Sequence, residues 1–108
     1  FHTEVMRPAQ EPMEVELQSI EVHTPLSPIV ANTTGKLLSA PEQIREELKQ
    51  QLCGCVYWLQ SMQLLISMEV NNFIEFGPGG VLSGLTKRIA PFAQATSVSN
   101  FDQIDELL

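Results

Sequence analysis

His2 carries the side chain best suited to moving protons near neutral pH, since imidazole changes charge between about pH 5 and 8. Taken alone, a single histidine followed by Thr3 reads as a packed or surface residue. His23 lies in a polar, proline-rich connection and carries less still. Cys53 and Cys55 are separated by one residue. A disulfide across so short a loop is strained, and two thiols cannot complete a zinc site. With both histidines far off in sequence, the expectation is a pair of reduced thiols in a cytosolic protein, with no metal. Phe76-Gly77-Pro78-Gly79-Gly80 could bring backbone N–H groups to an anion at a helix N-terminus. It is neither a full G-x-G-x-x-G nor a phosphate-binding loop with its Lys-Ser/Thr pair, so a tight structural turn is the simpler reading. Glu42, Glu46 and Glu47, with Arg45 and Lys49, read as a solvated helix face laced with local ion pairs.

The elements that must position these residues follow from periodicity. Met6, Ala9, Met13, Leu17 and Ile20 are spaced as one apolar face of a helix. Pro12 conflicts with a helix interior, so that helix is either kinked or starts late. Residues 28–31, Pro-Ile-Val-Ala, closed by Asn32-Thr33-Thr34-Gly35, predict a buried strand. Residues 39–52 predict a helix, with Pro41 at its first position and Ile44, Leu48 and Leu52 repeating every four. Gly54 separates it from a second helix at 57–68 that turns Trp58, Met62, Leu65 and Ile66 inward. A strand at 73–76 runs into the glycine turn. The next helix carries an apolar stripe of Val81, Leu82, Leu85 and Ile89, with Lys87 and Arg88 in its last turn. Residues 95–99 predict another strand, and Phe101, Ile104, Leu107 and Leu108 a final helix that starts near Asn100 or Asp102. The order is that of an α/β fold. Three strands make a thin sheet, and parallel sheets need both faces covered, so this reads as one end of a larger sheet.

Bulk properties bound the function. The chain has 108 residues, 13 acidic and 6 basic, for a net charge of −7. Such a surface repels phosphate backbones and argues against nucleic-acid binding. Apolar residues make up 44%, enough for a folded core. No apolar run is long enough for a transmembrane helix, and nothing resembles a signal peptide, so a cytoplasmic, membrane-free protein is expected. Residue 1 is Phe, which predicts a processed start or a piece of something longer.

Four segments, in order, resemble the C-terminal part of malonyl-CoA:acyl carrier protein transacylases. Phe1-His2-Thr3, then Met6 and Pro8-Ala9, resembles the family's Phe-His-Ser-x-x-Met-x-Pro-Ala. Pro28-Ile29-Val30-Ala31-Asn32-Thr33-Thr34 resembles its Pro-Val-Val-x-Asn-Val-Thr. Ile44-Arg45, Gln51-Leu52 and Val56-Tyr57-Trp58 resemble its Ile-Arg…Gln-Leu-x-x-Pro-Val-x-Trp. The run from Phe73 to Ile89 resembles its most recognisable block. The match extends from Phe1 to about Ile89.

The resemblance implies the C-terminal part of an α/β-hydrolase-like acyltransferase sheet with flanking helices, residues 1–108 being an incomplete domain. It implies transfer of malonyl from malonyl-CoA to the phosphopantetheine thiol of acyl carrier protein, through a seryl ester, in fatty-acid biosynthesis, with no bound cofactor. His2 takes the place of the general base, and Gln51 that of the residue whose backbone carbonyl orients it. An acceptor on one ring nitrogen fixes the tautomer and leaves the other nitrogen as base. Thr3 stands for the usual Ser, Cys55 for the usual Pro, and Pro12 is unexpected. The Gly-His-Ser-x-Gly nucleophile elbow is absent from this sequence. So are the malonyl-binding arginine motif, the oxyanion-hole glutamine and the ferredoxin-like subdomain. The chain alone is therefore expected to be inactive and poorly stable. Acyltransferase domains of polyketide synthases share these motifs, although Gln50-Gln51-Leu52 and Thr86-Lys87-Arg88-Ile89 look more like the discrete enzyme. A second reading is a non-catalytic module that docks acyl carrier protein. That partner is acidic, so docking would need a local basic patch around Lys87 and Arg88.

Overall fold

In the computed structural model, which describes residues 1–105, the chain divides into two compact units, the first Phe1–Ser61 and the second from Met62 onward. The first unit opens with a 3-10 helix, Glu4–Ala9, that continues directly as α1, Gln10–Ser19. The late start resolves the conflict at Pro12. It is the third residue of α1, where a backbone N–H would have no partner within the helix. Met6, Ala9 and Met13 are half-buried and Leu17 is buried, as the spacing predicts. Ile20 is already extended and half exposed. This face lies against α2, Pro41–Gln51.

The strand predicted at 28–31 is shorter and more open than expected. β1, Ile29–Val30, pairs antiparallel with β2, Leu37–Leu38, which the sequence reading did not anticipate. Only Ala31 is fully buried, because a two-residue hairpin covers little on either face. Gly35 turns the chain at φ 64°, and a Cβ there would sit 3.0 Å from the Gln60 Cβ, so glycine serves both conformation and space. α2 begins with Pro41, and the Gln43 side chain reaches back to accept from the N–H groups of Ser39 (2.8 Å) and Ala40 (3.1 Å). α3, Trp58–Ser67, buries Met62 and half-buries Trp58, Leu65 and Ile66.

The second unit centres on β3, Asn72–Phe76, paired in parallel with β4, Gln94–Val98. Their crossover is α4, Val81–Ile89, which packs on both strands. The expected apolar stripe of α4 is packed only in part: Leu85 and Ile89 are half-buried. Ser83, Thr86 and the following Ala90 are buried, while Val81 is 71% exposed and Leu82 is exposed. Small side chains let a helix lie close on two strands, and the bulky pair in its first turn, Val81 and Leu82, stays open to solvent. The described residues form two two-stranded sheets rather than the one three-stranded sheet expected. α5, Asp102–Asp105, starts with Asn100 accepting from the Gln103 N–H (3.1 Å) and Gln103 accepting from the Ser99 N–H (2.7 Å). Leu107 and Leu108 lie outside the described residues. Among those described, no helix is long and apolar enough to cross a membrane.

Candidate active site

The segment before the 3-10 helix is tied to the far end of α2. The Thr3 N–H donates to the Leu52 carbonyl at 3.3 Å. Two further links hold the helices together: Gln10 Nε2 donates to the Lys49 carbonyl (3.2 Å), and Lys49 Nζ pairs with Glu14 (2.8 Å). These contacts bring His2 and Gln51 to one cavity of about 340 Å³, lined also by Phe1, Asn32, Leu48 and Leu52. Asn32 is held from behind, its carbonyl accepting from the Tyr57 N–H at 2.7 Å.

His2 is exposed, with φ 61°. That left-handed conformation costs a non-glycine residue on the order of 1 kcal/mol, and histidine is among the types that adopt it more readily. The Gln51 amide oxygen is buried without a hydrogen-bond partner. Among the described residues no hydrogen bond joins His2 to Gln51. The cavity is thus lined by an exposed imidazole-bearing residue and by a glutamine whose buried amide oxygen has no partner. Its remaining lining is mostly apolar, a composition suited to holding a small polar ligand.

The other candidates fall elsewhere. His23 is exposed and 3.7 Å from Glu21. The glycine turn leads into a helix start whose N–H groups have a partner within the chain. Gly77 and Gly79 take φ 138° and 94°, and the N–H groups at the start of α4 are met by the chain's own Glu75. Its carboxylate accepts from Leu82 (3.1 Å) and Ser83 (2.8 Å). Those bonds, the one from Ser83 foremost, hold the Glu75 carboxyl below its ordinary pKa. The turn itself is braced by β4, with Ser99 Oγ donating to the Gly77 carbonyl and the Gly77 N–H to the Val98 carbonyl. Lys87 and Arg88 are exposed in the last turn of α4.

The face read as solvated needs correction at two positions. Glu47 is 9% exposed and caps the hairpin, accepting from the Thr33 N–H (3.1 Å) and hydroxyl (2.5 Å). Arg45 donates to the carbonyls of Leu17 and Ile20 at the end of α1 rather than to a neighbouring carboxylate. The spacing held a signal for Glu47: it lies three residues after Ile44 and next to Leu48, at the border of the apolar face. Asn32 as a cavity residue had no signal in composition, only its place in the second motif.

No protein-family model matches the chain. Individual relatives do. The malonyl CoA-acyl carrier protein transacylase of Bacillus subtilis (strain 168) is 33% identical over 97% of this chain and 33% of its own length. The crystal structure of an acyl-carrier-protein-S-malonyltransferase from Bartonella henselae superimposes with a TM-score of 0.89, at 33% identity, over 100% of this chain and 34% of that one. A malonyl-transacylase solved in complex with a type II polyketide-synthase acyl-carrier protein matches with a TM-score of 0.87, at 34% identity, over 99% of this chain and 35% of that one. The chain therefore spans about a third of the length of the relatives it matches, and it has their α/β fold over that third.

Proposed function

We infer that this chain is the C-terminal, histidine-bearing third of a malonyl-CoA:acyl carrier protein transacylase. The whole protein would move a malonyl group from malonyl-CoA to the phosphopantetheine thiol of acyl carrier protein, in fatty-acid biosynthesis. The observation that carries this reading is the meeting of His2 and Gln51 at one cavity, within a chain that matches such enzymes along nearly its whole length.

The chemistry runs through a serine that this sequence does not contain. The His2 ring takes the serine proton as the hydroxyl oxygen attacks the malonyl thioester carbonyl. The coenzyme A thiolate leaves and takes up a proton, giving a malonyl-seryl ester. The same ring then takes the proton of the carrier thiol, whose sulfur attacks the ester and frees the serine. Gln51 supplies the acceptor that fixes the ring's tautomer, in this reading through its backbone carbonyl. Its position at the last residue of α2 supports that role, because carbonyls at a helix C-terminus lack partners within the helix. The chain carries the base and its support without the Gly-His-Ser-x-Gly serine, so by itself it is expected to transfer no malonyl.

The test is a malonyl-transfer assay on two proteins. The chain alone is expected to show no transfer. Joined behind the serine-bearing two-thirds of the Bacillus subtilis relative, it is expected to transfer malonyl to acyl carrier protein. His2→Ala in that chimera should lower the rate on the order of 10²- to 10⁴-fold. An undiminished rate in His2→Ala would remove the histidine from its assigned role. Binding of acyl carrier protein to the chain alone, lost on charge reversal at Lys87 and Arg88, would favour the docking-module reading.

A further inference from the structure

We propose that Cys53 and Cys55 form a redox-active dithiol that closes to a disulfide across Gly54 and, in closing, repositions the His2 cavity. Two Cα atoms one residue apart are joined by two steps of 3.80 Å, so they lie at most about 7.6 Å apart, and a bent backbone shortens that distance. The backbone bends at Gly54. The separation thereby falls toward the window of about 4.4–6.8 Å that a disulfide spans.

The bend is fixed on both sides. The N–H groups of Cys53 and Gly54 both donate to the Gln50 carbonyl, at 3.2 and 2.7 Å. A Cβ at position 54 would lie 2.8 Å from that carbonyl oxygen and 3.0 Å from the Thr33 Cγ2. The middle residue of the pair is thus restricted to glycine by its surroundings. Both thiols are free, Cys55 exposed and Cys53 half-buried. That is the arrangement of an accessible attacking thiol beside a resolving one. A strained, exposed disulfide has a more oxidising potential and is readily reduced again, which suits a reversible link that closes only under an oxidising poise.

The oxidant is a small-molecule disulfide of the glutathione class. The Cys55 thiolate attacks one of its sulfurs, making a mixed disulfide and releasing one thiolate. The Cys53 thiolate then attacks the Cys55 sulfur, closing the ring and releasing the second. Two protein thiols are oxidised, one external disulfide is reduced to two thiols, and the two protons pass to the released thiolates.

Closure is felt at the cavity because the turn carries its wall. Leu52, immediately before Cys53, lines the cavity with Gln51 and accepts the Thr3 N–H, the bond that ties down the residue next to His2. The redox step stands apart from the function proposed above. Only its importance for catalysis rests on that reading.

The chain is equilibrated with a glutathione disulfide/glutathione mixture, then alkylated and weighed, with peptide mapping. The expected product has lost two hydrogens, takes up no alkylating reagent, carries no glutathione and maps to a Cys53–Cys55 link. Retained glutathione, two alkylated thiols or a link between two chains would overturn the proposal. In parallel, the imidazole NMR signals of His2 are expected to move between the dithiol and disulfide forms, and to stay fixed in Cys53→Ser and Cys55→Ser under the same oxidant. Unmoved signals in the oxidised wild-type chain would overturn the coupling. Malonyl transfer is not read in either arm, so absent transfer with a formed disulfide counts against the enzymatic reading alone.

Discussion

At the scale of single residues, Gln51 and Glu47 show how burial gives polar groups opposite roles. The Gln51 amide oxygen is buried and unpartnered. Such a group costs about 1–3 kcal/mol of desolvation. If the backbone carbonyl is what orients His2, Gln51→Met keeps the histidine's function and raises stability by about 1 kcal/mol in urea denaturation. A comparable loss would show that the side chain has a partner in solution. Glu47 is the converse, a buried carboxylate with two donors from Thr33. Glu47→Ala should cost about 2 kcal/mol in the same measurement, since hydrogen bonds to charged groups contribute about 1.5–3 kcal/mol. Glu75 adds a pH dependence. Its carboxyl is held below its ordinary pKa by the N–H groups that start α4. The stability it contributes is therefore full above the ordinary carboxylate range and lost as pH falls through the lowered folded value. Thermal melts of Glu75→Gln should be less stable than wild type at neutral pH, and the gap should close in acid. The ordered motifs pointed to His2 and Gln51 together, and the fold brings both to one cavity. The caps made by Glu47 and Glu75 were not legible, because each acceptor meets donors set by the fold, which periodicity does not describe.

At the scale of elements, long periodic segments were the readable ones. α2 was expected at 39–52 and spans Pro41–Gln51; α4 spans Val81–Ile89, as the spacing predicts. The β1–β2 hairpin was half missed, because two residues are too few for alternation to register. The packed side of α4 was read correctly at Leu85 and Ile89 and misread in the first turn, because hydrophobicity ranks Val81 and Leu82 above Ser83 and Thr86, whereas close helix–strand approach selects for size. The end of α1 offers a direct test. Arg45 donates to the carbonyls of Leu17 and Ile20, which no residue inside that helix can satisfy. Arg45→Ala is expected to lower stability by about 1–2 kcal/mol and to loosen the end of α1. Arg45→Lys, with a single ammonium in place of a fork, should recover only part of the loss in the same urea titration.

At the scale of the whole molecule, the apolar surface is the feature the sequence could not locate. Phe76, Val81 and Phe92 are each about 70% exposed, and Phe101 is more exposed still. Large apolar side chains this open to water favour association with other protein. The isolated chain should bind a fluorescent apolar dye and elute as an associated species in size-exclusion chromatography. Phe76→Ser should lower both signals, and a monomeric, dye-silent wild type would contradict the expectation. The β3–β4 ladder has a kinetic consequence. Its pairs run from Asn72↔Gln94 to Phe76↔Val98, so every pair is 94 − 72 = 98 − 76 = 22 positions apart. Parallel pairing ordinarily slows a chain's search, because distant strands must meet before any contact rewards the lost entropy. Here the search covers one short crossover, so the ladder can nucleate from neighbouring sequence without waiting for distant strands.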